Sequence, residues 1–112
     1  MDESLASLEL IKAEETRLKG NEGMARVLAR RAAGLAIREY LKNMDFNQRG
    51  LSLNGLLKDE EIRKILPASV HEPLDRLSTR ISIDFSYPSN FDLLLDSRLV
   101  IEKLSIINGE LK

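Results

Sequence analysis

The chain of 112 residues contains no cysteine. That absence removes disulfides, thiol nucleophiles and cysteine-ligated metals together, and it fits a reducing compartment. There is one histidine, His71. A His-Glu-x-x-His zinc site therefore has no second imidazole, and no calcium-loop pattern is present, so the sequence predicts neither metal nor cofactor. It also lacks a Gly-x-Ser-x-Gly elbow, a Gly-x-x-x-x-Gly-Lys loop and a Gly-x-Gly-x-x-Gly turn. A serine-hydrolase or phosphate-loop reading thus has no motif behind it. Aromatic residues are few, three Phe and two Tyr with no Trp, and none is interleaved with the basic residues of 26–41 in the manner of a base-stacking platform.

An excess of one charge is missing too. Seventeen basic and 18 acidic residues give a formal net charge of −1, so the whole chain is no electrostatic magnet for nucleic acid. No apolar run approaches the ~20 residues of a membrane span. The opening "MDESLASLEL" has no basic region of the signal-peptide kind. These features predict a cytoplasmic protein without a membrane partner.

What is present is helical patterning. With 43% hydrophobic and 31% charged residues the chain belongs to the globular class, and its length predicts a single domain over residues 1–112. Residues 3–19 carry Leu5, Leu8, Ile11 and Leu18 at helical spacing, which predicts a helix with one narrow buried stripe. Glu15 falls on that stripe and is expected to pair with an arginine of the next helix. "KGNEG" at 19–23 stops the helix and turns the chain; its glycines precede a helix N-terminus that would receive an anion, although such glycines more often just make the turn.

Residues 24–43 form a second helix that is apolar around most of its circumference, which predicts burial from several directions. Its alanines and Gly34 allow neighbouring helices to come close. A third helix is expected over 55–66, capped by Asn54 or Ser52 and ended by Pro67. A fourth starts either at a Ser69/Glu72 capping box or with Pro73 at its first position. Residues 81–90 alternate as a short strand or an aromatic-clamped extended loop. The last helix is expected over 91–108, with Asp92 in its first turn and Gly109 after it. Its apolar residues form two stripes, Leu93/Val100/Leu104/Ile107 and Leu95/Leu99/Ile106, and the second of these calls for another subunit. The fold class is all-α, an up-and-down bundle of about five helices.

The chemical candidates are the four arginines of "RVLARRAAGLAIREYL" (26–41) and His71. Arg31 and Arg38 are seven apart on one helical edge; Arg26 and Arg30 form another. Read functionally, Arg31 and Arg38 contact phosphate. Read structurally, the arginines pair with acids such as Glu15, Glu22 or Glu39 while their stems cover apolar surface, and the absence of a continuous basic face favours this second reading. His71 is a general base on one reading and a surface residue at a helix start on the other.

The run "LKGNEGMARVLARRAAGLAIREYL", the polar loop after it, "SLNGLLKDEEIRKILPASVHEPLDRLSTRI" and "YPSNFDLLLDSRLVIEKL" together resemble the layout of HEPN (higher eukaryote and prokaryote nucleotide-binding) domains. In those domains two long antiparallel helices are followed by shorter ones and by a closing helix often preceded by an Arg-Tyr-Pro-like segment; here Arg80 and Tyr87-Pro88 are separated. The resemblance implies a helical bundle, a homodimer, and work on RNA or nucleotides beside a nucleotidyltransferase-type partner in a toxin–antitoxin system. Active members are metal-independent ribonucleases carrying Arg, four to six residues, then His. In this chain Arg63 and His71 are separated by seven residues across Pro67, and Arg49 leads to Asn54, which is no base. The expected function is therefore a non-catalytic, homodimeric HEPN-like interaction module that binds a protein partner, nucleotide or RNA. The alternative is an atypical toxin-type ribonuclease using His71 with Arg31 or Arg38.

Overall fold

Helices α1 (Leu5–Leu18) and α2 (Glu22–Asn43) form the hairpin on which the rest is built. The computed structural model describes residues 4–44, 50–79 and 91–110, with side chains as far as Ser105. The hairpin turn is a Schellman motif. Gly20 takes φ +87°, its N–H donates to the Arg17 carbonyl, and the Asn21 N–H donates to the Thr16 carbonyl. Asn21 then caps α2, its side-chain oxygen accepting from the Met24 N–H. The "KGNEG" stretch thus closes one helix and opens the next, and the α2 N-terminus is filled by its own cap.

Short helices wrap one flank of α2: α3 (Leu53–Lys58), α4 (Glu60–Ile65), a 3-10 turn at Ala68–Val70 and α5 (His71–Ser78). Helix α6 (Leu93–Glu110) closes the bundle against α2, α5 and α1. The described residues hold six α-helices and no strand, so the all-α class is as the sequence predicts. The extra helix arises because the expected 55–66 helix is broken at Asp59. That residue, extended at φ −63°, ψ 126°, ends α3 and caps α4 through its carboxylate to the Ile62 N–H. Ser52, rather than Asn54, caps α3.

Neither expected start of the fourth helix is used. The 3-10 turn leads directly into α5, whose N-cap is Val70, with no side-chain cap. Asp92 caps α6, accepting from the Leu94 and Leu95 N–H groups. The expected Gly109 terminus is passed, since α6 runs to Glu110. The strand-or-loop reading of 81–90 falls outside the described residues.

Helix α2 is buried from several sides, as its apolar circumference predicts: Ala25, Ala29, Ala32, Ala33, Gly34, Ala36, Ile37, Tyr40 and Leu41 are all buried. Gly34 marks the closest approach. A Cβ there would sit 2.8 Å from both Leu53 Cβ and the Leu53 carbonyl oxygen, so α3 lies directly on the α2 backbone. Leu56, Leu57, Ile62, Leu74, Leu77, Leu93, Val100 and Leu104 complete one continuous core.

Helix α1 reverses its expected orientation. Ala6, Leu10 and Ala13 face the core, while Leu5, Leu8, Ile11 and Leu18 are 71, 43, 39 and 85% exposed. The reason is backbone distance. Small residues at positions 6 and 13 let α1 lie close along an alanine-rich α2, and close packing gains more dispersion contact than a stripe of larger side chains held further away.

Candidate functional site

Arg31 and Arg38 lie on the outward side of α2, about 10 Å apart at 1.5 Å per residue. The Arg31 Nε donates to Glu9 Oε2 at 2.8 Å, crossing from α2 to α1; Glu9 is 12% exposed and also has Lys12 at 3.8 Å. Arg38 borders a cavity of about 310 Å³ between the start of α1, α2 and α6, together with Ser4, Ala6, Leu35, Glu39 and Leu104. Glu15, expected to pair with an arginine of α2, is exposed and makes no ion pair among the described residues. Glu9 takes that role instead, while Glu14 pairs with Arg98 of α6.

Two further arginines reach carbonyls at helix ends, and a third holds a buried carboxylate. Arg30 reaches from α2 to α5 and donates from Nε to the Leu77 carbonyl at 3.0 Å; burial, with Arg26 repelling it, lowers its pKa. Arg63 donates from Nε and Nη2 to the Leu57 carbonyl, at 3.0 and 2.8 Å, and from Nη1 to Asp75. Arg76 holds Asp96 of α6, whose side chain is 4% exposed, through Nε and Nη2 at 2.9–3.0 Å. Its pKa is raised chiefly by that hydrogen bond, with Glu72 adding to it. Carbonyls at the ends of helices have no partner within the helix, and arginine forks supply one from outside.

Arg17 joins three helix ends. It meets Glu22 in a two-pronged contact, at 2.9 and 2.7 Å, and Asp92 at 3.1 Å; Arg26 lies 3.5 Å from Glu22. The Arg17 pKa is raised, first by the Glu22 hydrogen bond and further by Asp92. Glu22 is lowered, chiefly by the Arg17 hydrogen bond. Burial pushes Asp92 up, but Arg17 and the Leu95 and Leu94 N–H groups outweigh it and hold the carboxyl below its ordinary value.

His71 begins α5, with Nε2 3.2 Å from the Leu66 carbonyl oxygen. In the Nε2–H tautomer it donates to that carbonyl. Helix α5 packs on α3 and α6, whereas Arg31 leans on α1 and Arg38 borders the α1–α2–α6 cavity. His71 lines neither the cavity beside Arg38 nor the groove beside Arg31. The three residues singled out by sequence are therefore not gathered around one reacting atom. Among the described residues, no group of three or more His, Asp or Glu side chains is placed to hold a metal ion.

Sequence reasoning missed the outward face of the α1–α2 hairpin. Leu5, Leu8, Ile11 and Lys12 line a shallow groove of about 500 Å³ with Glu9, Arg31 and Leu35. Met24 and Val27 extend the same side at 47 and 44% exposure. The missed signal was the pairing of two small-residue rows, Ala6/Ala13 and the α2 alanines, which turns the leucines outward. On α6, by contrast, Leu95 at 52% is the one exposed large apolar residue among the described side chains, Leu99 is half-buried, and Arg98, Glu102 and Lys103 surround them. Comparison with protein-family models, with curated proteins and with solved structures gives no match for this chain.

Proposed function

We propose that the chain is a non-catalytic HEPN-like helical module that acts by binding: it forms a homodimer and docks a protein partner, with nucleotide or RNA as further ligand classes. The observation supporting this reading is how the basic groups are used. Arg17, Arg30, Arg63 and Arg76 secure helix ends and buried or half-buried carboxylates, and His71 is held against a carbonyl away from Arg31 and Arg38. General acid–base cleavage of RNA needs a base and a cation within hydrogen-bond reach of one phosphodiester. Among the described residues, the large apolar side chains left in water lie mainly on the α1–α2 hairpin, and apolar patches of this kind mark interaction surfaces.

A metal-free RNA cleavage assay tests the reading. The expected result is no cleavage by either the wild type or His71→Ala. Cleavage by the wild type that is lost in His71→Ala overturns it in favour of the toxin-type ribonuclease. Sedimentation showing a monomer at micromolar concentration overturns the homodimer.

A further inference from the structure

We infer that the surface on which two copies of this chain meet is the outer face of the α1–α2 hairpin, packed antiparallel about Leu8, and not α6. This rests on the homodimeric reading above and names the surface that carries it. The first support is area. Leu5, Leu8, Ile11, Met24 and Val27 leave on the order of 400 Å² in water, within the range of the largest patch on a typical monomer. Interfaces are a little over half apolar, so a patch of this size belongs to about 700–800 Å² per partner, the standard size of a stable contact. As far as Ser105, the outward side of α6 offers one exposed leucine among charged residues.

The second support is charge. The hairpin register is fixed by Glu9 against Arg31 and by Leu5 lining one groove with Leu35; residue numbers at the same height therefore sum to 40. Arg38 stands at one end of the outward rows and Glu15 towards the other, with Leu8 and Arg31 midway between them. A two-fold axis across the hairpin at that midpoint exchanges the two ends. It brings Glu15 of one copy level with Arg38 of its mate, twice over. Glu15, which makes no ion pair among the described residues, then stands at the height of a basic residue on the neighbouring helix of the second copy. A self-complementary patch is what a closed two-fold contact requires. In the middle, Arg31 keeps Glu9 as its own carboxylate and is not buried as an unpaired charge, while Lys12 lines the same groove 3.8 Å from that carboxylate. An anionic polymer or membrane would find Glu9 and Glu15 interspersed with Lys12, Arg31 and Arg38 along this face rather than a continuous basic field.

The test measures self-association of the full chain by sedimentation equilibrium, for the wild type, Leu8→Glu and Leu95→Glu, with helicity checked in each. The expected result is a wild-type dimer whose dissociation constant rises at least about tenfold in Leu8→Glu, a central contact, and stays unchanged in Leu95→Glu. If Leu8→Glu dimerises like the wild type while Leu95→Glu does not, this face is wrong and the homodimeric reading stands. If the wild type is a monomer throughout, both fall. Because the chain has no cysteine, Leu8→Cys supplies a measurement independent of how well the glutamate variant folds. Mild oxidation should give a covalent dimer from Leu8→Cys and none from Leu95→Cys; the reverse pattern overturns the assignment.

Discussion

Arg30 and Arg31 are neighbours in the chain and belong to opposite sides of the molecule. Arg30 turns to the flank covered by the short helices and caps α5 at Leu77. Arg31 turns to the open face and leans on Glu9 of α1. The closed flank is built from helices of six, six and eight residues, all shorter than the ~12 at which an isolated helix becomes even marginal. Such helices have a large share of their carbonyls at an end, and two of these, at Leu57 and Leu77, accept from Arg63 and Arg30. The open face is built from helices of 14 and 22 residues. Those satisfy their own backbones along most of their length, and Leu5, Leu8, Ile11, Met24 and Val27 on their outward side stay exposed. One residue type thus serves as structural fastener on one side and as surface charge on the other.

The sharpest break in this comparison is Arg76→Met. It leaves Asp96, whose side chain is 4% exposed, as a buried carboxylate without its cation. Removing one partner of such a pair costs about 3 kcal/mol, read as a fall in the urea midpoint with unchanged slope. The double variant Arg76→Met/Asp96→Leu should recover most of the loss, because neither charge then needs a partner. Next is Gly34→Ala. The alanine gains roughly 1 kcal/mol in helix propensity, but its Cβ meets Leu53 at 2.8 Å, including backbone. Overpacking of this kind costs about 1–3 kcal/mol, so the net result is a loss of about 0–2 kcal/mol in the same measurement, with α3 showing faster amide exchange than α1.

The closed flank was the more legible of the two in the sequence. Pro67, Ser52 and the leucine spacing of 56–66 placed its elements, and Gly34 with the α2 alanines announced close packing. Asp59 escaped notice because a carboxylate inside a helical pattern reads as an ordinary first-turn acid; its role as a cap emerges only once the backbone turns extended there. The open face was misread. Periodicity identifies a row of large apolar residues without saying which way it points, and Leu5/Leu8/Ile11 is a more hydrophobic row than Ala6/Leu10/Ala13. What decided the orientation was the fit of α1 against α2, a pair property that no single-helix pattern contains. The same limit explains Glu15: placing it on a buried stripe made a cation seem necessary, and with the stripe outward that necessity disappears within one subunit.

The Arg17 junction stands between the two sides, and pH addresses it. Glu22 and Asp92 have pKa values lowered by folding. Their contribution is present above their unfolded values, about 4.3 and 3.9, and is lost as pH falls through the lower folded values. Thermal stability should therefore decline as pH drops below about 5. Arg17 stays charged throughout, so Arg17→Gln should lower stability at neutral pH and flatten the acid decline. An acid profile of Arg17→Gln parallel to that of the wild type would place the acid sensitivity elsewhere.

The smallest effect is expected from Arg31→Ala, and its smallness is what the comparison requires. Arg31 is 54% exposed at its side chain, and its partner Glu9 keeps Lys12 nearby. Exposed ion pairs contribute about 0.2–1 kcal/mol, and the alanine returns a few tenths through helix propensity. The net change in monomer stability should fall within about 0.5 kcal/mol, against roughly 1–2 kcal/mol for Arg30→Met, which strips the Leu77 carbonyl of its donor. Measuring the two neighbours side by side in urea, at a concentration where the wild type is monomeric, isolates the fold from any association. If Arg31→Ala costs as much as Arg30→Met, the hairpin face is held together by its charges, and the division between a fastened flank and an open one fails. If the two separate as expected, Arg30 fastens the closed flank while Arg31 adds little to the fold of the monomer.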